Sequence, residues 1–249
     1  MIIIKSAREI DLIKKSSKIL IETFKLVDSL IEPGIETITI DREVEKFIRS
    51  KNAKPAFKGY RNYPASACIS VDDHVVHGIP SKSKLVNGQI VGIDIGVELN
   101  HYFSDAAKTY KIGKISRDKE TLLKVTEESL HKGIDAAKAG NRLSDISHAI
   151  QSHVEDAGFS VVRDLVGHGV GRDLHEDPQI PNYGKPNKGP LLKEGMVFAI
   201  EPMVNMGGYR VAFEDDQWTV RTADGLPSAH FEHTIAITKT SAEILTIGR

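Results

Sequence analysis

The chain has 249 residues, with 33 Lys and Arg against 34 Asp and Glu for a formal net charge of −1. That balance gives no electrostatic reason to expect nucleic acid or an anionic membrane as the main partner, and no apolar run approaches the roughly 18 residues that span a bilayer. The apolar start Ile2-Ile3-Ile4 stops at Lys5, too short for a secretory leader, and the single cysteine, Cys68, excludes an internal disulfide; both fit a cytoplasmic location.

The length permits one large α/β domain or two small ones. In chain order, Ile10, Ile13, Ile19, Leu20, Phe24, Val27 and Leu30 recur at helical spacing and predict an amphipathic helix from Ala7 to about Leu30. A second helix is expected from about Thr39 to Ser50. Strands follow at Ala67-Val71, Ile90-Ile95 and His101-Ile112. Two more helices, Lys119-Ala139 and Leu143-Ala157, precede strands at Val197-Met203, Gly208-Val220 and Ala229-Thr238. Strands and helices mix without strict alternation, so an α+β fold with antiparallel pairing is expected rather than a doubly wound parallel sheet.

The chain also resembles itself. Leu85, Gly88, Ile90, Ile93 and Asp94 coincide with Leu192, Gly195, Val197, Ile200 and Glu201 at a constant offset of 107. Pro33-Gly34 followed by Ile40, Val44 and Ile48 coincides with Ala139-Gly140 followed by Ile146, Ile150 and Val154 at an offset of 106. Helix, strand and acid thus occur twice in one order. The expectation is a single domain of two half-repeats, approximately residues 15-110 and 120-240, whose pseudo-two-fold brings Asp94 and Glu201 to the interface, where binding sites often lie.

Val166-Gly167-His168-Gly169-Val170-Gly171 sets one imidazole between glycines, and His175 stands seven residues after His168. Four acids occupy positions within or beside apolar runs: Asp94, Asp105, Glu201 and Glu232. Buried carboxylates are rare unless paired or bound to a cation, so this set points to a metal site. Four carboxylates and one histidine exceed what a single catalytic zinc takes; they suit two divalent ions about 3.5–4 Å apart that activate a shared water for amide hydrolysis. An oxygen-rich set with one imidazole accepts Mn, Fe, Co or Zn. Asp94 and Asp105 are far enough apart to face each other across a hairpin, and alternation places His230, Glu232 and Thr234 on one face of their strand.

Other motifs fail. After His175-Glu176, Gln179 stands where a His-Glu-x-x-His motif needs its second histidine, and Pro178 disrupts the helix. No phosphate loop and no Gly-x-Ser-x-Gly elbow is present. Ala67-Cys68-Ile69 reads as a small strand residue rather than as a nucleophile.

Together the motifs Tyr60-x-x-Tyr63-Pro64, Cys68-Ile69-Ser70-Val71, Val75-Val76-His77-Gly78-Ile79-Pro80, Ile93-Asp94-Ile95-Gly96, Gly167-His168-Gly169-Val170-Gly171, His175-Glu176-x-Pro178, Ile200-Glu201-Pro202-Met203 and Phe231-Glu232-His233-Thr234 resemble those of the type I, bacterial-form methionine aminopeptidases. The resemblance covers nearly the whole chain. With about 25 residues between His175 and Glu201, the helical insertion of type II enzymes is absent, as is the N-terminal zinc-binding extension of some eukaryotic type I enzymes. It implies the pita-bread fold and an enzyme that removes methionine from nascent polypeptide N-termini when the second residue is small; a monomer and proximity to the ribosome are further expectations. It implies that Asp105 and Glu232 bridge two metals, that Asp94 completes one site, and that His168 and Glu201 complete the other. His77 and His175 would contact the scissile peptide, and Tyr60, Tyr63, Cys68 and Trp218 would wall the methionine pocket. A monovalent cation near Asp72, His74 and Ser228 is also implied. Phe57, Leu174 and Ala106-Ala107 depart from the commonest family pattern, which puts the pocket's shape in question. Two other functions stay open: a proline-specific peptidase of the same fold, and a metal-free binding module on it.

Overall fold

The computed structural model describes residues 1–248. Its first half runs α1 (Ala7–Leu30), α2 (Thr37–Ser50), β1 (Lys54–Pro55), β2 (Ala67–Val71), β3 (His74–Val76), β4 (Ile90–Leu99) and β5 (Tyr102–Lys111). The second half runs α3 (Arg117–Ala136), α4 (Leu143–Asp156), β6 (Ser160–Val161), β7 (Gly167–Gly169), β8 (Glu176–Ile180), β9 (Val197–Ile200) and β10 (Met203–Asn205). It closes with β11 (Val211–Phe213), β12 (Val220–Thr222), β13 (Ser228–His230), β14 (Glu232–Ile237) and β15 (Ala242–Ile244). Among the described residues, no helix is long and apolar enough to cross a membrane.

Helix α1 begins where its sequence supplies a capping box: the Ser6 hydroxyl accepts from the Glu9 amide, and the Glu9 carboxylate accepts from the Ser6 amide at 3.0 Å. Its buried stripe contains small hydroxyl residues that apolar periodicity does not flag. Ser16 lies against the sheet and donates to the Val97 carbonyl at 2.7 Å. Helices α2 and α4 begin and end 106 residues apart, and each buries an apolar row at a four-residue spacing, Ile40, Val44 and Ile48 in one and Ile146, Ile150 and Val154 in the other. The turns before them correspond too. Gly34 and Gly140, at φ +96° and +95°, donate to the carbonyls of Leu85 and Leu192; that backbone region is open to glycine and strained for other residues.

Every strand pairing is antiparallel, in agreement with the α+β expectation. The main sheet has the order β1-β4-β5-β14-β9-β7-β8, with β2 also on β4 and β15 also on β14. Read outward from the β5/β14 seam, each side carries an antiparallel partner, β4 or β9, and then a further strand, β2 or β7. Two apolar cores flank the seam, one under α1 and α2, the other under α3 and α4.

Three predicted strands are interrupted, each for a local reason. The strand expected over Val197-Met203 breaks at Glu201-Pro202, where proline has no amide to donate. Phe231 separates β13 from β14, although the alternation that groups His230, Glu232 and Thr234 survives the break. Gly208-Val220 is a hairpin, because the Asp216 carboxylate accepts from the amides of Trp218 and Thr219, both at 2.8 Å, and turns the chain. The Gly-rich stretch around His168 is strand β7.

At the seam, main-chain pairing is confined to Glu232–Ala107 and His233–Ala106. Threonines extend it on both sides. Thr234 Oγ1 donates to the Asp105 carbonyl at 2.7 Å and accepts from the Asp105 amide at 3.0 Å. Thr109 Oγ1 does the same for His230, at 2.7 and 2.9 Å. Thr234→Val keeps the shape but orphans two buried backbone groups, each worth about 1–3 kcal/mol. We expect Thr234→Val and Thr109→Val each to lower the urea-unfolding free energy by about that much, and their sum to be less than additive if the seam opens as one unit.

Candidate metal and substrate site

The candidate residues converge through strand register. In one cross-strand row, Cys68 opposes Asp94, Asp94 opposes Ala107, and Ala107 opposes Glu232. In the neighbouring row Gly96 opposes Asp105, Thr234 opposes Ala199, and Ala199 opposes His168, with the Asp105–Thr234 hydrogen bonds joining the two parts. Opposed residues share a face of the sheet, and so do residues two apart on a strand. Asp94 and Asp105 are therefore diagonal neighbours rather than directly opposite as expected. The hairpin turn sets this offset: Asn100 and His101 both have positive φ, 52° and 62°, which fits a two-residue type I′ connection between Leu99 and Tyr102. Ala107 stands between Asp94 and Glu232 in the first row, and Thr234 and Ala199 between Asp105 and His168 in the second.

The glycines around His168 serve strand packing. A Cβ at Gly167 would lie 2.5 Å from the Ala199 carbonyl oxygen, and one at Gly169 would collide with the Asp177 carbonyl. Neither has a positive φ, so close approach explains them. His168 Nδ1 donates to the Gly169 carbonyl at 2.9 Å, which fixes the tautomer and leaves the Nε2 lone pair for the site. Ligand atoms of Asp105, His168 and Glu232 lie within 4.8 Å of one another. Glu201, released from the ladder after β9, brings Oε1 to 3.5 Å from His168 Nε2.

One cavity of about 140 Å³ is lined by Asp94, Asp105, His168, Glu201 and Glu232, by His77 and His175, and by Tyr60, Tyr63, Cys68 and Trp218, together with Phe57, Arg61 and Leu174. His77 sits just past β3 at φ 60°, a rare conformation for a non-glycine residue. The His175 ring stacks on Tyr60 at 5.1 Å and stands 4.2 Å from the His168 ring. Tyr63 meets Trp218 edge-on at 5.0 Å, and its hydroxyl donates to the Gly78 carbonyl at 2.9 Å. Gly96 makes room for Phe57, whose ring would lie 2.7 Å from a Cβ there.

Sequence reasoning missed two members of this neighbourhood. Arg61, at φ 46°, lines the cavity and stands over the Tyr60 ring at 5.4 Å; nothing in its sequence context marks it. His230 is 3% exposed, places Nε2 3.7 Å from Glu201 Oε2, and leaves that nitrogen without a hydrogen-bond partner. The alternation shared with Glu232 was its only signal. The site expected for a monovalent cation is partly committed: Asp72 Oδ1 accepts from Lys119 Nζ at 2.6 Å and from the Ile90 amide at 3.1 Å, the Asp72 carbonyl accepts from the Ser228 amide, and His74 opposes Arg221 in β12.

The electrostatics follow from burial. Burial, reinforced by Glu201 and opposed by His230, pushes Asp94 up to about 7. Burial, opposed by His168, takes Glu201 to about 7. Asp105 and Glu232 are raised further by burial and by the neighbouring acids. Burial depresses His77 to about 4, with help from His230, and His175 to about 3, with help from His168, Arg61 and His77, so both imidazoles are neutral near pH 7. Buried oxygens Asp94 Oδ1, Asp105 Oδ1 and Glu232 Oε1 have no hydrogen-bond partner. Three orphaned acceptors beside an imidazole lone pair fit a metal centre.

Residues 11–239 match metallopeptidase family M24. Over 247 residues the chain is 56% identical to a methionine aminopeptidase of Clostridium perfringens, with 99% of each chain covered. It is 55% identical over 246 residues to methionine aminopeptidase 1 of Bacillus subtilis, again with 99% of each covered. The chain belongs to the methionine aminopeptidases of family M24. The crystal structure of a methionine aminopeptidase from Thermotoga maritima superposes with a TM-score of 0.98 at 47% identity and full coverage of both chains. A prolidase from Pyrococcus furiosus superposes at 0.81 and 26% identity, with 99% of this chain covering 66% of that one. The protein is thus a metallopeptidase of pita-bread fold, and the cavity at its seam holds a cluster of metal-ligating groups, as a methionine aminopeptidase requires.

The raised acids set a pH dependence for the metal-free form. An acid that keeps its proton in the folded state after the unfolded chain has lost it opposes folding increasingly as pH rises between its two pKa values. For Asp94 that window runs from 3.8 to about 7, and for Glu201 from 4.5 to about 7; Asp105 and Glu232 extend it upward. The depressed histidines act in the opposite sense, losing stability only as pH falls below 6.5, so their contribution is complete above that value. We expect the urea midpoint of chelator-treated protein to fall from pH 6.5 to about pH 8 and metal loading to remove the fall. A flat metal-free profile would contradict the burial of these acids.

Proposed function

We propose that this enzyme removes the N-terminal methionine from polypeptides whose second residue is small, at a dinuclear metal site. The observation that carries the proposal is the set of partnerless oxygens on Asp94, Asp105 and Glu232, facing His168 Nε2 and Glu201 at the floor of an aromatic-walled cavity. Asp94, Asp105, His168, Glu201 and Glu232 would hold the ions. When bound, two divalent ions would lower the pKa of a shared water and polarise the scissile carbonyl. The oxygen-rich donor set accepts Co, Mn, Fe or Zn.

The other residues bind and orient. Tyr60, Tyr63, Cys68 and Trp218, closed off by Phe57 and Leu174, form an apolar slot suited to an unbranched thioether. Burial keeps Cys68 protonated, which agrees with a wall rather than a nucleophile. The neutral imidazoles of His77 and His175 lie beside the acids, placed to hydrogen-bond the scissile peptide and its developing charge. A monovalent cation near Asp72, His74 and Ser228 would have to rely on main-chain oxygens, because Lys119 already balances the Asp72 carboxylate. The halves, approximately residues 15–110 and 120–240, are proposed as one duplicated unit. The physiological setting would be a monomer acting on nascent chains in the cytoplasm, close to the ribosome.

Two measurements test this reading. Asp94→Asn should bind one ion weakly and lose nearly all hydrolysis of Met-Ala-Ser, and chelation should inactivate the wild type with recovery on adding Co, Mn or Fe; near wild-type activity in metal-replete Asp94→Asn would exclude the dinuclear reading. In a panel varying the first two residues independently, Met-Ala, Met-Gly and Met-Ser peptides should be cleaved and Met-Lys or Met-Phe hardly at all. Norleucine should replace methionine while isoleucine and lysine should not, since a mismatched group in such a slot is worth about 1–3 kcal/mol. Equal cleavage of Leu-, Lys- and Met-initiated peptides would make this a broad aminopeptidase.

A further inference from the structure

Glu176 follows His175 directly but does not line the cavity. Its side chain and that of Lys5 are each only 3% exposed, and the two form a buried ion pair. The second carboxylate oxygen, Oε1, accepts from the Arg172 amide at 2.8 Å and lies 3.5 Å from the Asp173 amide. The segment from Gly171 to His175 is therefore wrapped around one carboxylate. Gly171 touches the pair so closely that a Cβ there would lie 2.5 Å from both Glu176 Oε1 and Lys5 Cε. The far end of the segment is tied to β5, where the Phe103 amide donates to the Gly171 carbonyl at 2.9 Å.

Lys5 comes from the arm ahead of α1. That arm is anchored by the Lys5 amide, which donates at 2.7 Å to the carbonyl of Gly195, in the turn that leads into β9 and Glu201. A buried ion pair contributes little net stability relative to an apolar pair of similar volume, so stability is a weak explanation for one placed beside His175. We propose that Lys5 is a positioning residue for His175, acting through the Glu176 carboxylate. The inference rests on His175 acting on the peptide, as proposed above. With Lys5 paired to it, the Glu176 carboxylate is held where it accepts from the loop amides, which keeps the His175 ring between Tyr60 and His168.

The test uses the full-length, metal-loaded enzyme and Met-Ala-Ser, with kcat, KM, Co(II) stoichiometry and thermal midpoint all measured. Lys5→Met should lower kcat about 10²-fold, the effect of displacing a reacting group by about 1 Å, with KM and Co(II) stoichiometry little changed. Lys5→Arg, which keeps the charge, should retain most of the turnover. The double variant Lys5→Met/Glu176→Leu replaces the pair by apolar groups and should regain the thermal midpoint without regaining kcat. If kcat recovers together with the midpoint, the pair is only structural and the inference is overturned. Unchanged kcat in Lys5→Met would also overturn it, provided His175→Ala loses its turnover. If His175→Ala keeps its turnover, the role given to His175 falls first.

Discussion

Four carboxylates gathered around the His168 imidazole are the constraint that the rest of the molecule accommodates. Two like charges 4 Å apart repel by about 4 kcal/mol at an effective dielectric of 20, and here four acids share one enclosed space. The protein cannot ionise them all unaided, which is why burial and mutual repulsion raise all four. A bound metal would resolve the conflict by supplying opposite charge and a partner for the oxygens that no donor in the chain satisfies.

That burden shapes the architecture around the seam. The acids come from both sides of β5/β14, so the distance between the halves fixes the distance between ligands. Each half has its own apolar core, which lets it behave as a rigid plate. The join between plates is short in main-chain pairing and is extended by Thr109 and Thr234, one of which holds the Asp105 backbone itself. His168 is aimed by a hydrogen bond to its neighbour's carbonyl and by glycines that let β7 press against β9 and β8. The buried Lys5–Glu176 pair organises the adjoining loop, whose Arg172 amide donates to the Glu176 carboxylate.

The same scaffold supports more than one specificity, as the prolidase superposition shows, and fold alone does not choose between them. The aromatic cavity walls are built apart from the sheet. Trp218 reaches the cavity because Asp216 turns the chain just before it, and Tyr63 stands against Trp218 with its hydroxyl tied to Gly78. Phe57 enters through the space left by Gly96. These contacts come from loops and strand ends, where residue changes reshape a slot without disturbing the sheet that carries the acids.

Much of the site was legible in the chain itself. A carboxylate at the end of an apolar run, as at Asp94 and Glu201, conflicts with burial unless a cation is present, so Asp94, Asp105, Glu201 and Glu232 announced themselves by position. Periodicity placed all four helices to within three residues at either end, and the repeated Leu-x-x-Gly turns showed that helix, strand and acid recur. Local pattern is silent about partners distant in sequence. The ion pair between Lys5 and Glu176 joins residues 171 positions apart, the diagonal offset of Asp94 and Asp105 depends on a turn at Asn100-His101, and the glycines beside His168 owe their identity to strands that pack on them from elsewhere. Sequence determined which acids conflict with their apolar surroundings, because that follows from each residue's own polarity and setting; only the tertiary structure decided which atoms meet and at what distance, because register and packing belong to pairs of segments and to neither alone.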